Sequence, residues 1–290
     1  MVEQVELVGQ PLPTLNLRRD ERGDIELQLL LDALLRYGSC DFRFFNQSVL
    51  RRRVADALRS EGLETISALQ ERVLHSDRAF ASFVVAMSGG TSTLFADPPA
   101  LRAFRDNVIP LLRTYSFIRV WVPGAGTGGD AYSLAALFKE ARILDRTVIY
   151  ATFFNDATVA VAKAGLYRHD KRARMEGAAK LAGLESPACA YFDIDEAFAV
   201  PNQRLRDSVL LGRHNPATDG SINEFHAIVS RGVLPLLNGA SQFRAHALFF
   251  ESLVRLGFLS LGSSENIVKT AHEGAFRQVT AEQPIFRRLR

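Results

Sequence analysis

The sequence predicts a mixed α/β fold in which a helical bundle precedes a parallel sheet covered by helices. Two features of the 290-residue chain indicate this class. Helical apolar patterns run from residue 24 to about residue 100, and short apolar runs then alternate with helix-like segments. Crossover helices between parallel strands produce that alternation. We therefore expect an arm over residues 1–23, a helical domain over 24–100 and an α/β domain over 101–290.

The predicted helical domain contains four helices. Asp24 is expected to cap the first helix, whose stripe of leucines ends at Gly38. Ser48 is expected to open the second helix, and the third and fourth follow at 66–74 and 79–87. Each helix has one apolar face, so the four are expected to pack around a common core.

The α/β domain is predicted from apolar runs rich in β-branched and aromatic residues. These predicted strands lie at 118–122, 148–154, 227–230 and 258–261. Helices are expected between them at 132–141, 156–164 and 243–256. Over residues 168–205 a charged stretch interrupts the alternation and contains two strand-like pieces, 190–194 and 198–200. We interpret that stretch as a small antiparallel β insert.

The composition is that of a folded, soluble protein without a strong charge signature. Hydrophobic residues make up 47% of the chain and the formal net charge is +3, which does not indicate specific nucleic-acid binding. No apolar run approaches the roughly 20 residues that span a bilayer, so membrane insertion is not expected. Cys40 and Cys189 are typical of reduced thiols in the cytoplasm. The histidines show no metal-binding spacing, and we expect no metal.

A glycine-rich stretch, WVPGAGTGGDAYS from Trp121, is the most distinctive motif. Its position between a predicted strand and a predicted helix is typical of loops that let a ligand approach the backbone. The loop residues are Gly124, Gly126, Thr127 and Gly128. Two interpretations stay open: a site for a phosphate or nucleotide, or a tight turn. Asp130 is explained by the helix N-terminus, where an acid caps the helix and complements its dipole, and Asp156 is expected to cap the helix at 156–164.

The chain resembles the chemoreceptor glutamate methyltransferases, the CheR family, in collinear order over nearly its whole length after residue 24. Matching positions of the family motifs DFR…SLRRR, the S-adenosylmethionine loop and the second strand are 41–43, 48–53, Trp121, Gly124, Thr127, Gly128, Tyr132, Ser133, Ala151, Thr152, Ala162, Gly165 and Tyr167. Later motifs match at 214–215, 230–231 and 257–265. The resemblance implies a CheR-like helical domain and a Rossmann-like methyltransferase domain, with S-adenosylmethionine as the family's cofactor.

Several polar positions of the family are replaced in this chain. The glutamate of the loop is Gly129, and the aspartate that ends the second strand is Phe153. A carboxylate there accepts hydrogen bonds from ribose hydroxyls, and phenylalanine cannot. Three more family positions that handle cofactor or substrate are changed: Ala96, Gly232 and Leu236. Asn215 is retained. We therefore expect a degenerate site with no catalytic residue and no bound S-adenosylmethionine.

The leading functional hypothesis is a bacterial CheR-like regulatory or scaffold protein of the cytoplasm, which binds a protein partner or a small anionic ligand. A candidate binding face is the arginine-rich second helix, with Arg51, Arg52, Arg53 and Arg59. The alternative is a solvated face in which Asp56 pairs with Arg52 and Arg59. In some members of the resembled family the β insert docks a receptor tail by strand addition, which offers a second surface.

Two other functions stand as alternatives to this hypothesis. One is an active S-adenosylmethionine-dependent protein-glutamate O-methyltransferase of chemotaxis-like signalling. The other is a receptor for a nucleotide second messenger, in which the glycine loop and Arg51 to Arg53 would hold the phosphates.

Overall fold

The structure is a computed structural model that describes residues 19–89, 93–268 and 270–290. Most of the predicted arm, residues 1–18, lies outside the described residues. The first helix, α1 (Arg19–Gly38), begins before Asp24, so Asp24 lies inside the helix and does not cap it. The predicted end of this helix at Gly38 is confirmed.

The N-terminal helices pack as the apolar patterns predict. Their bounds are α1 (Arg19–Gly38), α2 (Gln47–Glu61), α3 (Ile66–Leu74) and α4 (Asp77–Met87). The leucine stripe of α1 is buried, and α3 lies between α1 and α4. Two helices, α5 (Pro98–Asn107) and α6 (Ile109–Leu112), connect this bundle to the sheet. Asp97 caps α5 by accepting a hydrogen bond from the amide of Ala100.

The described residues form a seven-stranded main sheet with the order β6-β2-β1-β7-β8-β10-β9. Its strands are β1 (Ile118–Val122), β2 (Thr147–Phe153), β6 (Val209–Arg213), β7 (Phe225–Ser230), β8 (Leu253–Leu261), β9 (Phe276–Gln278) and β10 (Ile285–Arg288). The five strands β6, β2, β1, β7 and β8 run parallel to one another. Strand β10 pairs antiparallel with β8, and β9 pairs antiparallel with β10. The predicted α/β class is confirmed.

Helices cover the sheet between its strands. They are α7 (Gly129–Glu140), α8 (Asp156–Ala164), α10 (Gln203–Asp207) and α11 (Gly239–Ser252). The cap of α8 is Asn155, whose side chain accepts a hydrogen bond from the amide of Thr158 at 3.0 Å, so the expected cap at Asp156 is wrong by one residue. The helix predicted over 243–256 ends at Ser252, because the chain there already enters β8.

The predicted antiparallel insert is confirmed. It is a three-stranded sheet with the order β3-β5-β4, made of β3 (Tyr167–Arg168), β4 (Phe192–Ile194) and β5 (Phe198–Pro201). The charged stretch between the strands contains α9 (Arg172–Leu181). Aromatic contacts fix the insert, since the ring of Phe192 packs edge-on against Phe95, 5.8 Å away between centroids.

The carboxyl ends of the central parallel strands meet beneath the helical domain. Residues 44–46 of the helical domain lie against residues 236–238, after β7. The amide of Asn46 donates to the carbonyl of Leu236 at 2.7 Å, and the amide of Asn238 donates to that of Phe44 at 2.9 Å. In an open parallel sheet this edge is where ligands bind. The helical domain therefore forms one wall of the candidate site.

None of the helices in the described ranges is long and apolar enough to cross a bilayer.

Candidate functional site

The loop between β1 and α7 depends on glycine for its backbone path. Gly124, Gly126 and Gly128 have φ values of 56°, 57° and 95°, in the left-handed region that side chains disfavour. Gly128 is also the N-cap of α7. A Cβ at Gly128 would lie 2.8 Å from the hydroxyl of Tyr167, so the position has no room for a side chain.

Hydrogen bonds hold this loop against its neighbours. The amide of Ala125 donates to the carbonyl of Thr152 at 2.9 Å. The Tyr167 hydroxyl donates to the carbonyl of Thr127 at 2.9 Å, and burial raises the pKa of Tyr167. Thr127 is buried. The tight-turn interpretation thus has a physical basis, since hydrogen bonds from Ala125 and Tyr167 hold the loop against its neighbours.

Asp130 has a role that the sequence analysis missed. It lies in the first turn of α7, but it makes no cap, because the N-cap is Gly128 and no side chain bonds there. Instead, Nη2 of Arg231 donates to Asp130 at 2.5 Å. The two side chains are only 8% and 18% exposed, which makes this a nearly buried ion pair. The neighbouring Gly129 is buried at the first position of α7.

Phe153 ends β2 with its side chain in the protein core, where it is 1% exposed. Its ring lies beside the glycine loop, with Cζ 3.8 Å from the place where a Gly128 Cβ would be. The next residue, Phe154, packs on the helical domain and has its ring centroid 5.0 Å from that of Phe45. Two aromatic rings therefore occupy the carboxyl end of β2.

A turn after β7 lies beside the glycine loop and lines the same cavity. Gly232 has a φ of 71°, and its amide donates to Glu265 at 3.1 Å. Glu265 also accepts from the amides of Leu234 and Gly262, at 2.8 and 2.5 Å. Leu236, 7% exposed, lies in the same turn.

The cavity at the glycine loop is small, about 150 Å³. Its walls are formed by Gly89, Val122, Pro123, Gly124, Ala125, Gly126, Asp130, Arg231, Gly232 and Leu236. The charged side chains among these, Asp130 and Arg231, are bonded to each other.

Ala96 and Asn215 do not line this cavity. Ala96 is exposed and lines a second cavity of about 460 Å³, against β3 and α9. Asn215 is buried in a turn after β6. Its side-chain oxygen accepts a hydrogen bond from the backbone amide of Ala217 at 3.0 Å, and its own backbone N–H donates to the carboxylate of Asp219 at 2.9 Å. Both hydrogen bonds are local, so Asn215 has a structural role in the turn.

The four arginines of α2 have different environments. Arg51 pairs with Asp24, and Arg59 pairs with Asp56. Nη1 of Arg53 donates to the carbonyl of Met87 at the end of α4, and burial lowers the pKa of Arg53. The predicted pair of Asp56 with Arg52 is not seen, because Asp56 bonds to Arg59 instead.

Arg52 is therefore the arginine of this group that is exposed without a hydrogen bond or ion pair within the described ranges. Arg53 and Asp56 line a groove of about 420 Å³ between α2, α3 and α4, apart from the glycine loop. In the described part of the chain there is also no cluster of three or more side chains suited to a metal ion.

Comparison with known proteins identifies the family. The family model described as CheR methyltransferase, SAM binding domain matches residues 91–284. The chain belongs to this family. The expected resemblance to CheR proteins is confirmed, and the matched region contains the glycine loop, the insert and every strand of the main sheet except β10.

Individual CheR relatives agree with this assignment. A Pseudomonas putida protein named as a methyltransferase, Cher3, is 38% identical over 91% of this chain and 97% of its own length. A chemotaxis protein methyltransferase of Listeria monocytogenes is 24% identical over 81% of this chain and 87% of its own length.

The chain also has similarity to solved structures. The glycopeptide N-methyltransferase MtfA complexed with sinefungin shows 16% identity over 59% of this chain and 51% of that chain, with a TM-score of 0.36.

Proposed function

We propose that this chain is a CheR-family protein that does not bind S-adenosylmethionine and that acts in cytoplasmic signalling by binding a protein partner or a small anion. The observation that carries the proposal is Phe153. Its ring is buried at the end of β2, at the position where the resemblance to CheR enzymes places the ribose-binding carboxylate.

The chemistry of the ribose supports this proposal. Ribose hydroxyls lose their hydrogen bonds to water when a nucleoside enters a protein, and a carboxylate at the end of the second strand replaces them. Phe153 offers no acceptor. Leaving ligand hydroxyls unpaired and losing bonds to a charged group cost on the order of 2–5 kcal/mol. At 4 kcal/mol the dissociation constant would rise about a thousandfold.

The space at the loop gives independent support. Sites for drug-sized ligands usually hold about 300–1,000 Å³, whereas the cavity at the glycine loop holds about 150 Å³. The same volume disfavours a nucleotide second messenger at this loop. The small volume and the missing acceptor at Phe153 both support the proposal that S-adenosylmethionine does not bind.

The surface that we assign to a partner includes Arg52 on α2. Arg51 and Arg59 have acidic neighbours and Arg53 is bonded to backbone, so Arg52 contributes an exposed positive charge that no acidic side chain of the described residues pairs with. An acidic segment of a partner protein would complement it.

A second candidate function is an active S-adenosylmethionine-dependent protein-glutamate O-methyltransferase. The names of the relatives favour it, since the Pseudomonas and Listeria proteins are both named as methyltransferases. This function requires Phe153 to leave the core, because its ring stands where the resemblance places the ribose-binding carboxylate. It also requires another residue to orient the substrate carboxylate in place of Ala96.

Calorimetric titration with S-adenosylhomocysteine separates the two candidates, because the product binds to the same site as the cofactor without needing a methyl acceptor. The proposal expects no saturable heat up to about 1 mM ligand. A dissociation constant in the low micromolar range would establish the second candidate.

A further inference from the structure

Arg231 carries hydrogen-bond donors that no group in the described residues satisfies. Its Nη2 is bonded to Asp130, but Nε and Nη1 are buried and have no partner. The guanidinium has five N–H groups, of which Nε carries one and Nη1 two. More than nine-tenths of this side chain is buried. Three N–H groups of a cation are therefore removed from solvent without an acceptor.

Such a group requires a partner. A buried donor without an acceptor is unfavourable, and more so when it is charged. Asp130 does not supply all the bonds, because its hydrogen bond is to Nη2 and leaves Nε and Nη1 without an acceptor. Arg231 lines the cavity at the glycine loop, so a molecule in that cavity lies next to the guanidinium.

The rest of the cavity suits a small anion. Gly89, Gly124, Gly126 and Gly232 present backbone without side chains at its walls. A Cβ at Gly232 would meet no atom within 4 Å, so the space beside it is open. The N-terminus of α7, a helix of 12 residues, also begins at this loop and favours negative charge.

We propose that this cavity binds a small oxyanion, a carboxylate or a phosphate, on the guanidinium of Arg231. The inference rests on the proposed function, because it takes the cleft to be closed to S-adenosylmethionine. Arginine forms paired N–H···O bonds with both classes of oxyanion. The cavity volume of about 150 Å³ limits the ligand to one smaller than a nucleotide.

Asp130 sets the affinity of this site. Its carboxylate faces the same guanidinium and repels an incoming anion. With both side chains ionised, the pair has no net charge, and binding depends on the donors that Asp130 leaves unused. Removing the charge of Asp130 should therefore tighten binding, on the order of tenfold for a like charge about 6 Å away in a partly screened site.

The test is the thermal midpoint of the full chain in sodium phosphate, sodium acetate and sodium chloride at equal ionic strength. A ligand that binds only the folded state raises the midpoint, by about 3 °C or more once it exceeds its dissociation constant tenfold. The proposal expects this rise with at least one of the two oxyanions and not with chloride. A rise with acetate alone would favour a carboxylate as the ligand, and a rise with phosphate alone would favour a phosphate.

Two variants and a control assign the effect to the site. Arg231→Gln should abolish the rise. Asp130→Asn keeps the cation and should shift the response to about tenfold lower anion concentration, which keeps the test decisive if Arg231→Gln does not fold. Arg204→Gln is the matched control, because Arg204 forms an exposed pair with Asp145 far along the chain. It should respond as the unchanged protein does.

Equal midpoints in all three salts, or an unchanged response in Asp130→Asn, would overturn the inference and leave water as the partner of Arg231. Titration with S-adenosylhomocysteine keeps the two proposals apart. If that ligand binds, the proposed function fails whatever the salts do. If it does not bind and the oxyanions have no effect, only the anion site fails.

Discussion

Phe153 is a core residue as well as a replaced site residue. The resemblance to CheR proteins implies a carboxylate at the end of the second strand where this chain has Phe153, but the sequence leaves open whether the ring lines an open cleft or lies in the core. The structure decides this, because the ring is 1% exposed and belongs to the same apolar cluster as Tyr167 and Ala162. The ring thus stabilises the fold at the place where a cofactor would need space.

The burial of Phe153 predicts the cost of removing its ring. Phe153→Ala should lower the free energy of unfolding by about 3–5 kcal/mol, the usual range for a buried phenylalanine. Phe243→Ala is the control, since Phe243 is 56% exposed, and it should cost well under half as much. Unfolding in urea measures both. A cost below about 1 kcal/mol for Phe153→Ala would show that the ring lies in an open cleft.

Glu265 is buried and bonded to three backbone amides of two turns. Burial raises its pKa above the usual 4.5, although the amide bonds oppose the rise. Because the folded-state pKa is the higher one, folding is favoured by proton binding at this group. Its contribution to stability is therefore fully present below about pH 4.5 and is lost as the pH rises through the folded-state pKa.

Glu265→Gln should accordingly destabilise the protein more at about pH 4 than at pH 7. Glutamine cannot accept from all three amides, and an unsatisfied buried donor costs about 1–3 kcal/mol. Because glutamine does not titrate, the difference from the unchanged protein should shrink as the pH rises. Urea unfolding at the two pH values measures it. A difference that grows with pH would mean that the amide bonds outweigh burial and lower the pKa of Glu265.

At the scale of elements, the β1-loop-α7 unit was predictable and its charge partner was not. Left-handed glycines leave a signature in the sequence, because few other residues tolerate those φ values. The ion pair between Asp130 and Arg231 spans 101 positions. Nothing local in either segment marks it, since it exists only because β7 lies beside β1 in the sheet. From the sequence, Asp130 is therefore assigned only to the first turn of α7, where it does lie.

Helix α2 gives the next prediction, a contrast between two neighbouring arginines. Arg53→Ala should lower the free energy of unfolding by about 1.5–3 kcal/mol, because its charged side chain is half-buried and bonds to the carbonyl of Met87. Arg52→Ala should change it by no more than about 0.5 kcal/mol, as is usual for exposed residues. Thermal or urea unfolding of both variants is the measurement.

The same pair tests the partner surface. Because Arg52→Ala should keep the fold intact, it is the variant in which a loss of biological activity reports on binding. If Arg52→Ala unfolds the protein, or if Arg53→Ala has no effect on stability, the division of roles along α2 is wrong.

At the scale of the whole molecule, the sequence predicts the layers better than the edges. Strands β1, β2 and β7 are buried apolar runs, so their composition reveals them. The two edge strands were missed, since β6 contains a glycine and exposed residues and β9 contains an arginine, and so was β10, which lies beside β9 and ends in two arginines. Edge strands lack a fully apolar pattern because one side faces solvent.

Absent site groups are readable from the sequence, since each replaced residue stands at a fixed place in a motif. What fills the space that they leave is not readable, because packing against Gly128, Tyr167 and the helical domain is decided by contacts distant in sequence. For that reason the changed motif positions were predicted, while the small cavity and the buried cation of Arg231 are visible only in the structure.

The central claim, that the buried ring of Phe153 and the missing acids exclude the cofactor, is tested most directly by titrating S-adenosylhomocysteine into a set of variants. The unchanged protein should show no saturable binding up to about 1 mM, and Phe153→Ala should add space without acceptors and bind little better. Phe153→Asp with Gly129→Glu restores both acids and should recover measurable affinity, by up to about a thousandfold if roughly 4 kcal/mol returns. Low-micromolar binding by the unchanged protein would contradict the account.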